Sequence, residues 1–337
     1  MDLIYSRTDQ NGNQTSGFLS HYEVAFDVSI DLEYVTNNFE LKMILPDSTE
    51  QLLWSENTIS SIIYVEGTEY GGEISGSVIN VAENTITYTG RTWRGNLSQQ
   101  IIEPPAGQDY RTVSGNLATS MRTLPLGPYI SVQNTTYSGG TYQFARYVTT
   151  LEGATGLITA AQSDLRMTIE WESSGYGGEA KLYITPARDL RSTIEVSQDY
   201  NSRVQLQITR DGNTPRELIC LGEGELKDRE VIKLYADENW NISTTPIAGV
   251  YPVETYDFSG SENLLADGRK LFLELIHNHE QIEVTIADLD IRLSDIIGAK
   301  DFLTGEFVSA EITSIVWRCV DYGTYQEESF EYITKVL

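Results

Sequence analysis

Short segments in which apolar and polar residues alternate dominate the first third of the chain. A short apolar run covers residues 39–45. Residues 73–80 and 85–90 predict the two strands of a hairpin, with Glu83-Asn84 at its turn. Strands this short and this closely spaced predict a small β-barrel or sandwich over residues 1–103.

The next segment, residues 104–190, predicts a mixture of helix and strand. Pro104-Pro105-Ala106-Gly107 marks a break between the two segments. Apolar residues recur at intervals of four, four and three within residues 112–124, which predicts an amphipathic helix. A second helix is predicted over residues 142–151.

The same segment is expected to close with a hairpin. Gly153 and Gly156 are expected to end the second helix, because glycine favours helix C-termini. Strands are then predicted over residues 166–171 and 179–184, joined by the glycine-rich residues 173–178.

The last segment, residues 191–337, returns to strand patterns. Residues 204–209 and 217–222 flank Asp211-Gly212-Asn213, a strong hairpin signal. A helix is predicted over residues 261–278, with its buried side formed by Leu264, Leu265, Leu271, Phe272 and Leu275. Further strands are predicted over residues 229–236, 281–286, 289–293, 306–317 and 325–333. The chain is therefore expected to be mainly β with an α+β insert.

Acidic residues outnumber basic ones about two to one. The chain has 49 Asp and Glu against 23 Lys and Arg, a formal net charge of -26, and the acids are spread along it. Binding to nucleic acid through phosphate neutralisation needs clustered Lys and Arg, so it is excluded as a function class. Binding to an anionic membrane is disfavoured for the same reason.

Cysteines and the first residues indicate where the chain folds. Cys220 and Cys319 each lie in an apolar run that resembles a strand, so both are expected to be buried, reduced thiols. Residues 1–5 lack a basic region followed by a long apolar run, and no stretch approaches membrane-spanning length. We therefore expect no signal peptide and no membrane insertion.

Histidine and aspartate offer weak candidates for a metal site. The chain has three histidines, His21, His277 and His279, and the last two are expected at a helix end with no third ligand nearby. Three aspartates near Ser294 lack the spacing and glycine of a calcium loop. They are interpreted as surface carboxylates of a hairpin: Asp288, Asp290 and Asp295. No metal and no cofactor is predicted.

Two further motifs were weighed as catalytic or binding sites. Gly222-Glu223-Gly224 lacks the third glycine and the Lys-Ser/Thr pair of a phosphate-binding loop, so it is interpreted as a turn. Glu170-Trp171-Glu172 places two acids around an aromatic residue, as a sugar-cleaving site does. On a strand the two glutamates share the solvent face and Trp171 points into the core. No catalytic residue is assigned.

Thr87–Thr92 reads T-Y-T-G-R-T, and Arg94-Gly95 precedes Leu97 after an intervening Asn96. This segment resembles the hub proteins of siphophage tail tips, the hub-forming N-terminal parts of tail-associated lysins, and Asn96 is a small departure from that family's R-G-L turn. Ile101-Ile102-Glu103-Pro104-Pro105 is similar to the family's I-I-x-P-P stretch, and residues 109–115 resemble its next block.

A second block follows in the same order as in the family. Residues 199–204 open it, residues 218–225 contain an L-G-x-G-E pattern, and residues 228–237 continue with a D-R-x-V strand. The resemblance runs from about residue 62 onward, and the first sixty residues are less diagnostic.

The resemblance implies an architecture and a role. It implies a trimeric ring with two similar β-barrels per subunit, residues 1–103 and 191–337, flanking an α/β domain at residues 104–190. The second barrel would carry the helical excursion near residues 261–278. Such a ring would surround the DNA conduit and join the tail tube to the tip.

Partners and location follow from the same resemblance. The implied partners are further copies of the chain, the distal tail protein, the tape measure protein, and tip or fibre proteins. The implied location is the virion tail tip, with assembly in the host cytoplasm. No extension of the kind that carries a peptidase in relatives follows the second barrel, so we expect no enzymatic activity. The alternative is a tail module that binds or cleaves glycans at the host surface.

Overall fold

The computed structural model divides the chain into two compact units. The larger comprises Met1–Val204 and Thr285–Ile333, and the smaller comprises Gln205–Val284 and Thr334–Leu337. The residues that the structure describes are 1–30, 37–48, 51–55, 58–174, 177–192, 195–196, 205–210, 213–238, 240–249, 251–260, 263–277, 280–285, 291–300 and 307–336.

An antiparallel sheet built from the first part of the chain lies in the larger unit. Its strands are β1 (Ile4–Asp9), β2 (Gln14–Phe18), β3 (Tyr22–Ser29), β4 (Asn38–Ile44), β5 (Thr58–Tyr64), β6 (Gly71–Asn80) and β7 (Thr85–Thr92). They lie in the order β3-β4-β7-β6-β5-β1-β2. The predicted hairpin is confirmed as β6 and β7, which pair from Gly72↔Thr92 to Asn80↔Thr85.

Strands from the end of the chain complete this sheet. They are β22 (Ile296–Lys300), β23 (Phe307–Asp321) and β24 (Gln326–Val336). β23 pairs antiparallel with β3, from Ser314↔Ser29 to Val320↔Glu23. Trp317 of β23 is fully buried and stacks on Phe26 of β3 with ring centroids 5.7 Å apart. Residues almost 300 positions apart therefore share one core.

Helices and short strands fill the middle of the larger unit. The helices are α1 (Trp93–Ser98), α2 (Leu117–Met121) and α3 (Thr150–Ala161). The strands are β8 (Ile101–Ile102), β9 (Thr112–Asn116), β10 (Ile130–Val132), β11 (Ser138–Gln143), β12 (Val148–Thr149), β13 (Leu165–Ser174), β14 (Gly177–Pro186) and β15 (Glu195–Val196). Apolar residues of all three helices and of β13 and β14 form one buried cluster. The predicted hairpin of residues 166–184 is confirmed as β13 and β14.

Both helices predicted in the middle segment are wrong in their bounds. Residues 112–116 form β9, and only Leu117–Met121 is helical, with Asn116 as its N-cap. Residues 142–149 belong largely to strands and a turn, and the helix begins at Thr150 and continues to Ala161. Gly153 and Gly156 thus lie inside α3 and do not end it. Both pack closely against side chains of neighbouring elements.

The smaller unit combines a sheet with one long helix. Its elements are β16 (Gln205–Arg210), β17 (Glu217–Leu221), β18 (Val231–Ala236), β19 (Ile242–Ser243), β20 (Val253–Asp257), α4 (Leu264–His277) and β21 (Glu280–Thr285). Four strands lie in the order β19-β18-β17-β20, with β17 and β20 parallel. The hairpin predicted between residues 204–209 and 217–222 is wrong, because β16 pairs with β21 and β17 with β18 and β20.

The helix predicted over residues 261–278 is confirmed as α4. Leu264 and Phe272 are buried against Leu218 and Leu234, whereas Leu265, predicted on the buried side, is 37 % exposed. Gly268 lies directly over Cys220, and a Cβ there would come within 2.4 Å of its sulfur atom. The glycine that weakens the helix therefore permits its close contact with the sheet.

The predicted fold class, mainly β with an α+β insert, is confirmed. The boundaries of the two predicted barrels and of the middle domain stay a prediction. Cys220 and Cys319 are both free and buried, as predicted. Within the described part of the chain, no helix has the length and apolarity needed to cross a membrane.

Candidate functional site

The T-Y-T-G-R-T motif ends β7, and the residues after it connect the large sheet to the helices of the middle segment. Thr92 is the N-cap of α1, and its hydroxyl accepts a hydrogen bond from the Gly95 N–H at 3.3 Å. A Cβ on Gly95 would lie 2.1 Å from the Asn37 carbonyl oxygen, so the close approach of these segments requires glycine.

Arg94 is the buried centre of this connection. Its side chain is 2 % exposed, and its Nε and Nη2 atoms donate to the two Glu69 carboxylate oxygens at 2.6 and 2.9 Å. Nη2 also donates to the carbonyl oxygen of Met167 on β13. Glu69 in turn accepts the Ile169 N–H at 3.0 Å. Arg94 therefore has a structural role, because intramolecular hydrogen bonds occupy its guanidinium.

A cleft lined by three arginines lies beside β13 and β14. It has a volume of about 250 Å³ and is lined by Arg166, Thr168, Glu170, Tyr183, Thr185, Pro186, Ala187, Arg188, Arg292, Leu293, Ser294 and Asp295. Arg166 pairs with Glu311 at 2.6 Å, Arg188 with Asp295 at 2.6 Å, and Arg292 with Glu170 at 3.0 Å. We name it the arginine cleft. Each guanidinium in it has a carboxylate partner within the chain.

The Glu170-Trp171-Glu172 motif is arranged as predicted. Trp171 is buried and stacks on Trp93 at 5.0 Å, and the glutamates lie on the opposite face of β13. Burial raises the pKa of the Glu170 carboxyl, and Arg292 partly opposes this. Hydrogen bonds from Lys181 and Tyr183 lower the pKa of Glu172. The hydrogen bond to Glu172 raises the pKa of Tyr183 to about 12. Both carboxylates are therefore engaged by neighbouring side chains.

Asp295 and Ser294 differ from the sequence interpretation. Asp295 is buried rather than on the surface, because the forked guanidinium of Arg188 and the Arg292 N–H donate to it. Ser294 is also buried, with a positive φ of 67°. Asp288 and Asp290 lie outside the described residues. No periodicity marked Asp295, since its arginine partner is 107 positions away.

Other candidate residues lie apart from the arginine cleft. Gly222-Glu223-Gly224 forms the predicted turn, and the Gly222 N–H donates to the backbone carbonyl oxygen of Glu230 at 2.9 Å. His21 is exposed, and its backbone N–H donates to the Asp321 carboxylate at 2.8 Å. His277 ends α4, and His279 lies outside the described residues. The described residues contain no group of three or more His, Cys, Asp or Glu that could hold a metal ion.

A second cleft is rich in side-chain amides. It has a volume of about 290 Å³ and is lined by Glu73, Ser75, Arg91, Asn96, Gln99, Gln100, Leu126, Gly127, Pro128, Tyr129 and Ile130. We name it the amide cleft. The Tyr129 hydroxyl donates to Glu73 at 3.1 Å and lies 2.7 Å from the Ser60 hydroxyl. Sequence analysis missed this cleft, because its residues come from separate strands, a short helix and a loop.

Three tail proteins, two of them from prophages, are among the solved structures similar to this chain. The 43 kDa tail protein of prophage MuSo2 from Shewanella oneidensis has a TM-score of 0.56 at 15 % identity, over 99 % of this chain and 96 % of that one. A tail protein from Neisseria meningitidis MC58 has a TM-score of 0.54 at 12 % identity, over 100 % and 97 % of the two chains.

A third similar structure is the prophage tail protein gp18 from Listeria monocytogenes EGD-e. Its TM-score is 0.51 at 14 % identity, over 100 % of this chain and 94 % of that one. No protein family and no curated protein sequence matches the chain. The chain therefore has the fold of phage tail proteins, and the predicted resemblance is confirmed at the level of the fold.

Proposed function

We propose that the chain is a structural subunit of a phage or prophage tail, at the baseplate hub of the tail tip. The observation that carries the proposal is the extent of the likeness to tail proteins. Three of them match 99–100 % of this chain and at least 94 % of their own length. A match over whole chains concerns the complete arrangement of elements and not one widespread domain.

The proposed assembly is a homotrimer that surrounds the DNA conduit and joins the tail tube to the tip. The net charge of -26 supports this role, because a channel for DNA must not hold it. Two barrels in each of three subunits would present six similar units to a sixfold tube. The proposed partners are the distal tail protein, the tape measure protein, and tip or fibre proteins.

The proposed role is not enzymatic. Glu170 and Glu172 are held by Arg292, Lys181 and Tyr183, so neither is free to protonate a leaving group or activate water. The arginine cleft is balanced by ion pairs within the chain. These contacts favour a structural role over the glycan-cleaving alternative.

Labelling of phage particles tests the proposal directly. An antibody against the purified chain is expected to decorate one end of the tail in negatively stained particles, and a mass measurement is expected to give a trimer. Label on the capsid, or none on any particle, would contradict the tail role. Clearing of a peptidoglycan gel by the purified chain, abolished by Glu170→Gln, would instead support the glycan-cleaving alternative.

A further inference from the structure

The second half of β6 has an unpaired edge. β6 pairs with β7 as far as Asn80, but its pairing with β5 ends at Ile62↔Glu73. Among the described residues, no strand pairs with residues 74–80 on the β5 side. Exposed apolar side chains accompany this edge, namely Val78 at 64 %, Ile79 at 50 % and Val81 at 79 % exposure. Such an edge is a template for another strand.

An unpaired guanidinium lines a cleft next to the start of this edge. Arg91 of β7 is opposite Glu73 of β6 and lines the amide cleft together with Ser75. In the part of the chain that the structure describes, Arg91 makes no ion pair and no side-chain hydrogen bond. The Glu73 carboxylate is engaged by the Tyr129 hydroxyl instead. The amide cleft thus contains a cation that forms no ion pair with Glu73, the one acid that lines the cleft.

Three amide side chains that line the same cleft as Arg91 provide further free hydrogen-bonding groups. Asn96, Gln99 and Gln100 line the same cleft, and their side-chain amides make no hydrogen bond to any described residue. The arginine cleft is different, because all of its guanidinium groups are paired. Free donors beside an open strand edge favour a polypeptide ligand that carries a carboxylate.

The smaller unit carries an exposed edge strand with such a carboxylate. β20 is the last strand of its sheet and, within the described residues, pairs only with β17. All five of its residues are exposed, including the apolar Val253 at 51 % and Tyr256 at 48 %. Glu254 makes no ion pair with any described residue. At about 3.3 Å per residue, the strand spans about 17 Å, which fits along residues 74–80.

We propose that β20 of a second copy of this chain adds to the free edge of β6, with its Glu254 carboxylate bound by the Arg91 guanidinium. The contact joins two different surfaces, so it is head-to-tail and can close a ring. Copies that each carry a charge of -26 repel one another. Residues 74–82 contain no charged residue and Arg91 is positive, so an acidic copy meets no like charge along residues 74–82.

The inference rests on the proposed ring and is tested by charge reversal. Sedimentation of the full chain is compared at one salt concentration for wild type, R91E, E254R and the R91E/E254R double variant. Each single reversal is expected to weaken self-association about tenfold or more, because like charges then face each other. The double variant is expected to regain most of the wild-type association.

A matched control separates this contact from overall charge. K227E changes the net charge as R91E does, at an exposed lysine on a turn of the smaller unit. It is expected to associate nearly as wild type, and circular dichroism establishes that every variant is folded. The proposed contact would be overturned if R91E self-associates as strongly as K227E. It would also be overturned if the double variant self-associates no more strongly than the single variants.

Failure of the contact and failure of the proposed function give different results. If R91E and E254R still form the wild-type oligomer, the ring stands and this contact is wrong. If wild type is a monomer at every concentration and salt, no second copy binds and this contact is again wrong. Antibody labelling of tails is independent of both results, and its failure alone would remove the proposed tail role.

Discussion

Arg94 illustrates how much one buried side chain depends on its partner. Replacing Glu69 by Ala is expected to lower the free energy of unfolding by about 3 kcal/mol, because the Arg94 guanidinium would be left buried without its anion. Urea unfolding measures the change.

The exposed pair Arg318–Glu331 provides the comparison. Its atoms are 2.9 Å apart, but both side chains are about half exposed. Glu331→Ala is expected to change the free energy of unfolding by no more than about 0.5 kcal/mol, because water screens the pair. Equal losses for Glu69→Ala and Glu331→Ala would show that burial does not set the value of the Arg94 pair.

Asp27 is expected to make stability depend on pH. Burial raises its pKa to about 6, Arg318 opposes the shift and Glu331 adds to it. Because the folded-state pKa is raised, the stability that Asp27 contributes is present below pH 4 and lost as the pH rises through about 6. Asp27→Asn should therefore be more stable than wild type at pH 7.5, by about 1 kcal/mol after allowance for partial exposure, and equal to it near pH 4.

Thermal unfolding from pH 4 to pH 8 checks the Asp27 prediction. Asp47→Asn removes the same charge from an exposed position and serves as the control. A gain for Asp27→Asn that is constant across this pH range would contradict the assignment, because the gain would not follow titration of the carboxyl.

Strand and hairpin patterns were predictable wherever partners are close in sequence. The β6–β7 and β13–β14 hairpins follow from alternation and turn residues, and α4 follows from its apolar spacing. The pairing of β23 with β3 could not be predicted, because no local pattern specifies a partner almost 300 residues away. The hairpin signal at Asp211-Gly212-Asn213 failed for the same reason, since β16 and β17 each found other partners.

Glycine misled the prediction of α3. Glycine at position 153 predicts a helix end, but a Cβ there would lie 2.5 Å from Ile102 and 3.0 Å from Phe144, both buried. The residue therefore permits close packing in mid-helix, a tertiary requirement that local propensity does not record. The amide cleft was missed for a related reason, because its lining residues converge only in the folded chain.

Substitution of the two α3 glycines separates packing from propensity. Gly153→Ala gains about 1 kcal/mol of helix propensity but is expected to lose more through overpacking, a net loss of about 1 to 2 kcal/mol. Gly156→Ala meets only the hydroxyl end of Tyr142, which is partly exposed and can move, so it should be near neutral. Urea unfolding distinguishes the two, and a stabilised Gly153→Ala would contradict the packing argument.

Charge sets the conditions for assembly of the whole molecule. Three copies at -26 would bring three times that charge around one channel. Screening shortens to about 8 Å at physiological ionic strength and about 3 Å at 1 M salt, so association should strengthen as salt rises. A single Arg91–Glu254 pair per contact does not reverse this trend. Sedimentation across a salt series measures it.

The same salt series tests the conduit role when duplex DNA is included. No measurable affinity for DNA is expected at physiological salt, because the chain is strongly acidic and each guanidinium of the arginine cleft is paired with a carboxylate. Tight DNA binding there would refute the conduit proposal. Association that weakens steadily with salt would instead show that ion pairs, and not neutral surfaces, hold the copies together.

The pairing of β3 with β23 also has a consequence during synthesis. Ser29 leaves the ribosome 285 residues before its partner Ser314. At about 5–20 residues per second, one edge of β3 waits roughly 15 to 60 s for its neighbour. Throughout that interval the nascent chain exposes an unsatisfied strand beside apolar side chains such as Phe26. A ribosome stalled before β23 would therefore hold an aggregation-prone intermediate that a chaperone must protect until translation ends.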